Sequence, residues 1–159
     1  MAGTLPEFPL KIDPELMAIV EEMRDQTDRG AAILAASILS TYLERAILTK
    51  FTPTSNRRRE KIFRGFGPLS TLSARIEIAY SLGLFDEAAY GRLNAIKDIR
   101  NEFAHSIEPT TFDSEAIKTL SKKLIFVTTP PILDDRQRFL DAVSEFLCVL
   151  TGRPVPGFG

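Results

Sequence analysis

At 159 residues the chain is long enough to bury a core without staples, and 44% apolar with 26% charged residues is the balance of an ordinary globular protein. A formal net charge of −1 and a pI near 5.9 argue against a domain that lives on duplex DNA, which needs a basic face. Cys148 and His105 are the sole cysteine and histidine, which excludes an intramolecular disulfide and a cysteine-based zinc site; no carboxylate spacing suggests another metal, and no metal or cofactor is expected.

Residues 1–12 contain Pro6 and Pro9 and read as an extended arm, without the basic-then-apolar pattern of a secretory signal. Asp13-Pro14-Glu15 is a helix start, with an N-cap, a proline at the first position and an acidic first turn, and the helix runs to about Asp25. Thr27 or Asp28 caps the next helix, which continues to about Phe51 and carries Ala31, Ala32, Ala35, Ala36, Ile38, Leu39, Tyr42 and Ile47 on one face. Those small side chains let a neighbouring helix approach closely. The longest apolar run, residues 30–39, is shorter than a bilayer requires, so no membrane association and a cytoplasmic location are expected.

Pro53 marks a loop, Arg57-Arg58-Arg59 opens a short helix to Phe63, and Gly65-Phe66-Gly67-Pro68-Leu69 must turn. Ser70 caps a helix through Ile76, Ile78, Ala79 and Leu82, and Gly83 stops it. Asp86 starts a long helix to about His105, buried through Leu93, Ile96, Ile99 and Phe103 and less strictly Tyr90. After a loop with Pro109, Asp113 caps a helix through Ile117, Leu120 and Leu124. Thr128-Thr129-Pro130-Pro131 breaks the chain, and Asp134 or Asp135 caps a last helix with Phe139, Val143, Phe146, Leu147 and Leu150 as its stripe. Ile125-Phe126-Val127-Thr128 is the lone strand-like run, and one run makes no sheet. Residues 152–159 read as a mobile tail. The expectation is an all-α antiparallel bundle of six or seven helices in a single domain, residues 13–151. The helix through Ala31 and Ile47 should be central, with the one ending at His105 packed on it.

The most informative segment is Arg100-Asn101-Glu102-Phe103-Ala104-His105. Asn101 and His105 are four apart and share a helix face, so the amide can orient the imidazole. Arg100 sits beside them, and a guanidinium can hold a phosphate through two hydrogen bonds. Histidine exchanges protons near neutral pH, so these parts suit RNA cleavage without a metal. One copy supplies one histidine, and a symmetric dimer would bring a second to a shared cleft. Arg29, Glu44 and Arg75 are polar residues on helices expected nearby. On residue chemistry alone a structural role is favoured over catalysis. In that role Asn101 and His105 bond the following loop, Arg100 pairs with Glu44 or Asp28, and His105 sits where the helix dipole favours a cation.

Several blocks resemble the mannitol repressor family: Asp28-Arg29-Gly30-Ala31-Ala32, Gly65-Phe66-Gly67-Pro68-Leu69, Ser73-Ala74-Arg75-Ile76-Glu77, Ala79-Tyr80-Ser81-Leu82-Gly83-Leu84 and Ile99 through His105. The resemblance covers residues 28–112. The last block is in turn similar to the motif of the HEPN superfamily, all-helical domains that often dimerise. Many of those are RNases using Arg, a polar residue, three residues and His, as in Arg100, Asn101 and His105; others bind proteins or nucleotides. The resemblance implies a homodimeric regulator of sugar-alcohol operons. No helix pair presents a basic recognition helix. The leading reading is therefore a regulatory domain acting through a protein partner, without strong specific DNA binding. The alternative is a metal-independent endoribonuclease built on Arg100, Asn101 and His105 at a dimer cleft, with RNA as its partner and Asp28, Arg29, Glu44 and Arg75 in support. A third reading, direct DNA binding through Arg57, Arg58 and Arg59, competes with a plain solvated helix end.

Overall fold

The computed structural model describes residues 14–124 and 134–152. The expected arm, the strand-like run at 125–128 with its chain break, and the tail from residue 153 lie outside the described residues. Seven α-helices follow in order: α1 (Pro14–Asp25), α2 (Asp28–Leu48), α3 (Asn56–Phe63), α4 (Leu72–Ser81), α5 (Glu87–His105), α6 (Glu115–Ser121) and α7 (Asp135–Thr151). A 3₁₀ turn, Lys122–Leu124, continues α6, and no strand occurs among the described residues.

Side-chain caps set most of the starts. Thr27 accepts from the Gly30 amide, Asp86 from Ala89 and Asp134 from Gln137, at 3.1, 2.8 and 2.7 Å. Two starts fall one residue later than the sequence suggests. Thr71, not Ser70, caps α4 by accepting from the Ala74 amide at 3.1 Å. Ser114, not Asp113, precedes α6; its hydroxyl accepts from the Thr111 amide behind it, so α6 begins without a side-chain cap. Helix α2 stops at Leu48 rather than near Phe51. There the Thr49 hydroxyl donates to the Ala46 carbonyl, and the Lys50 and Phe51 amides turn back to Ile47 and Leu48, so the chain tightens into i→i−3 turns.

Helix α2 is the hub, packing against α1, α4, α5 and α7. Its alanines 31, 32, 35 and 36 are buried with Leu39, Tyr42, Leu43 and Ile47, while Ile38 is partly buried. Small side chains on this face admit several neighbours at close range. From α5, Leu93, Ile96, Ile99 and Phe103 enter the same core. Arg29, in the first turn of α2, reaches the Ser106 carbonyl just past α5, so the two helices run antiparallel. The 21 residues of α2 are long and apolar enough to cross a bilayer by length and composition, more than the 30–39 run suggested. In the bundle, however, α2 is enclosed by four helices and carries Glu44 fully buried.

Candidate functional site

The carboxyl half of α5 carries the residues that drew attention in the sequence, and they differ in exposure and in partners. Arg100 and Asn101 are partly buried, and Arg100 Nη1 donates to Asn101 Oδ1 at 3.0 Å. The Asn101 carbonyl oxygen is thus engaged by its chain neighbour. His105 ends the helix, is exposed, and makes no hydrogen bond through its ring among the described residues.

Arg100 and Asn101 open onto a cleft of about 670 Å³ between α2, α4 and α5. One wall is the face of α2 with Ile33, Ala36, Ser37, Ser40 and Thr41. The opposite rim is the α3–α4 connection with Arg64, Ser70 and Thr71, leading into Leu72, Ser73 and Arg75, so α4 points its amino end into the space. From α5 come Lys97, Arg100 and Asn101. Among the described residues four cations line the cleft, no carboxylate does, and His105 is not on it.

Arg64 and Arg75 reach the cleft from a charge cluster built around Glu44. Glu44 is fully buried on α2 and meets Arg59 Nε at 2.6 Å, Arg64 Nη1 at 2.6 Å and Arg75 Nη2 at 3.2 Å. Arg75 is itself buried and spends its donors on protein. Its Nε bonds the Leu69 carbonyl, Nη1 bonds the carbonyl and hydroxyl of Ser40, and Nη2 bonds the Phe63 carbonyl. Arg75 therefore ties the α3–α4 connection to α2. Burial by itself pushes the Glu44 carboxyl up, but the hydrogen bonds and charges of Arg64 and Arg59 outweigh it and leave the pKa below the usual glutamate value. Burial lowers the pKa of Arg75, which remains a cation.

Asp28 and Arg29 serve the loop that follows α5. Asp28 accepts from the Phe112 amide at 3.0 Å and pairs with Arg136 at the start of α7. Arg29 Nη2 donates to the carbonyls of Ser106 and Glu108 at 2.9 and 3.1 Å. So the pairing expected of Arg100 with Glu44 or Asp28 does not occur. Other arginines hold both carboxylates, and Arg29, not Asn101 or His105, secures the loop. Of the seven residues singled out in the sequence, Arg75, Arg100 and Asn101 share the cleft. Glu44 pairs with two of the arginines that line it, Asp28 and Arg29 brace the next loop, and His105 is exposed at the end of α5.

Sequence reasoning missed Arg59, Arg64 and Lys97 as parts of this region. Lys97 was findable, since it lies three residues before Arg100 on the same helix. So were Ser37, Ser40 and Thr41, at spacings of three and four on α2. Arg59 and Arg64 were masked by the basic run around them. Of the cations at 57–64, these two are committed to Glu44, leaving Arg57, Arg58 and Lys61 exposed on α3. Next to them the turn at Gly65-Phe66-Gly67 holds Phe66 wholly exposed. Gly65 adopts φ +58°, and a Cβ on Gly67 would stand 2.4 Å from the Ile62 carbonyl oxygen, so both glycines are required by the backbone path.

A family model described as mannitol repressor matches residues 18–149. The chain is similar to one in the X-ray structure of the MtlR-HPr complex from Escherichia coli. The TM-score is 0.70 at 18% identity, covering 86% of this chain and 98% of that one. It is also similar to YggD from Shigella flexneri 2a, a possible transcriptional regulator, with a TM-score of 0.58 at 16% identity, covering 86% and 95% of the two chains. No curated protein matches it.

Proposed function

This chain belongs to the mannitol repressor family, and from that premise we propose that it regulates transcription through a protein partner of the HPr type rather than by reading operator DNA itself. The observation that carries the reading is the shared fold. The chain matches 98% of a family member's length, and that member was solved in complex with HPr. The charge pattern supports it. Phosphate contacts need clustered, available cations. The net charge is −1, and the single basic run loses Arg59 and Arg64 to Glu44. The same reading takes the chain as a homodimer, on the resemblance of its sequence, and as cytoplasmic, on the composition of its sequence. The alternative of RNA cleavage draws no support from the geometry, since Arg100 and Asn101 line the cleft and His105 does not.

Fluorescence anisotropy with labelled operator-containing DNA tests the choice between the two modes of regulation, and direct titration with HPr tests the partner itself. The chain alone should bind DNA weakly, with Kd of about 10⁻⁴–10⁻⁶ M at physiological salt, and without preference for operator over competitor. Nanomolar, competitor-resistant binding to one operator sequence would contradict the proposal.

A further inference from the structure

The cationic cleft has no role in the partner reading, and its chemistry is specific enough to name an occupant. Arg75 has its donors engaged by carbonyls, Ser40 and Glu44, and Arg64 is shared with Glu44. Of the three guanidiniums around Glu44, Arg64 and Arg75 reach the cleft, and Glu44, with Glu60 near Arg64, offsets part of their charge, so the cleft's available cations are Arg100 and Lys97. Arg100 bonds only the neutral Asn101 amide and has no carboxylate within ion-pair distance among the described residues. Lys97 bonds Asn94 at 3.0 Å and is only loosely paired with the half-exposed Asp98 at 3.5 Å. Two partly buried cations side by side, with no carboxylate among the described lining residues, favour a multiply charged anion. The remainder of the lining is hydroxyl-rich through Ser37, Ser40, Ser70 and Ser73, and among the described residues it contains no aromatic ring on which a nucleobase could stack. At about 670 Å³ the space is in the range of small-molecule sites.

We propose that the cleft between α2, α4 and α5 binds a small phosphate ester of a polyhydroxylated compound. Arg100 and Lys97 hold the phosphate, and the serine hydroxyls of α2 and α4 meet the ligand's own hydroxyls. The amino end of α4, directed into the cleft, adds favourable potential for the same charge. The inference does not rest on HPr binding and is read without it, so its failure would leave the partner reading standing.

The test is calorimetric titration of the full chain with mannitol 1-phosphate, inorganic phosphate, mannitol and AMP, each separately. Mannitol 1-phosphate should bind saturably at one per chain, inorganic phosphate and AMP more weakly, and mannitol without measurable heat. Arg100→Gln and Lys97→Gln should each weaken binding by about tenfold or more, the loss expected for a charge-assisted contact. Arg57→Gln, on the exposed face of α3, should bind as the wild type does. Thermal melts without ligand show that each variant is folded, and Lys97→Gln carries the test if Arg100→Gln is not. No saturable binding of mannitol 1-phosphate, or wild-type affinity in both cleft variants, would overturn the site. Inorganic phosphate or AMP binding as tightly as mannitol 1-phosphate would overturn the polyol assignment.

Discussion

Glu44→Ala should destabilise the bundle by about 3–5 kcal/mol, the cost of breaking a buried ion cluster by removing one partner. The carboxylate is fully buried and faces three guanidiniums, and Arg75 has almost no solvent to turn to once it is gone. Arg59 and Arg64 are more exposed and can rehydrate, so most of the cost falls on Arg75 and on the attachment of α3 to α2. The pKa adds a second signature. Because Glu44 titrates below its ordinary value in the folded state, its charge stabilises the fold above the unfolded pKa, about 4.3, and that contribution is lost as pH falls through the lower folded pKa. The difference between wild type and Glu44→Ala in urea denaturation should therefore be large at pH 7 and shrink well below pH 4. A difference that stays constant across that range would show that packing, not charge, sets the cost.

Phe103→Ala should cost a further about 3–5 kcal/mol in its own variant, whereas His105→Ala should stay within about 0.5 kcal/mol of wild type. The contrast is informative because both belong to one six-residue segment. Phe103 is fully buried, its ring 5.0 Å from Phe112, which in turn lies 5.3 Å from Phe139 on α7, so this aromatic row joins α5, the following loop and α7. His105 is exposed and makes no ring hydrogen bond among the described residues, so the cost of about 1 kcal/mol for a lost helix-end hydrogen bond does not apply to it. Thermal melts of the two variants side by side check this. A His105→Ala loss comparable to that of Phe103→Ala would place the imidazole in the core packing, against the geometry seen here.

The helices themselves were legible because local signals agree with the tertiary packing. Asp86 and Asp134 cap where their position ahead of an apolar stripe says they should, and Leu93, Ile96, Ile99 and Phe103 keep helical spacing on one buried face. The misplaced starts at Ser70 and Asp113 each had an equally good capping residue next door, and only the tertiary path of the turn chooses between them. The site was legible in part. Arg100 and Asn101 do open onto a cleft, and Arg75 shares it. What the sequence could not supply was partner choice among charges. With 20 basic and 21 acidic residues, nothing local tells which arginine meets Glu44 and which meets Asp28. Those pairings link residues 15 to 108 positions apart and are set by how the helices cross. The bond between Asn101 and His105 that a shared helix face allows is missing for a related reason: Arg100 occupies the Asn101 oxygen.

The central claim is that this chain acts by binding a protein of the HPr type. Calorimetric titration of HPr from the same organism into the full chain at physiological salt measures it most directly. The account predicts saturable heat at one HPr per chain, with Kd of about 10 μM or tighter. The absence of saturable heat at about 100 μM HPr, with a chain that is folded by thermal melt, would contradict it.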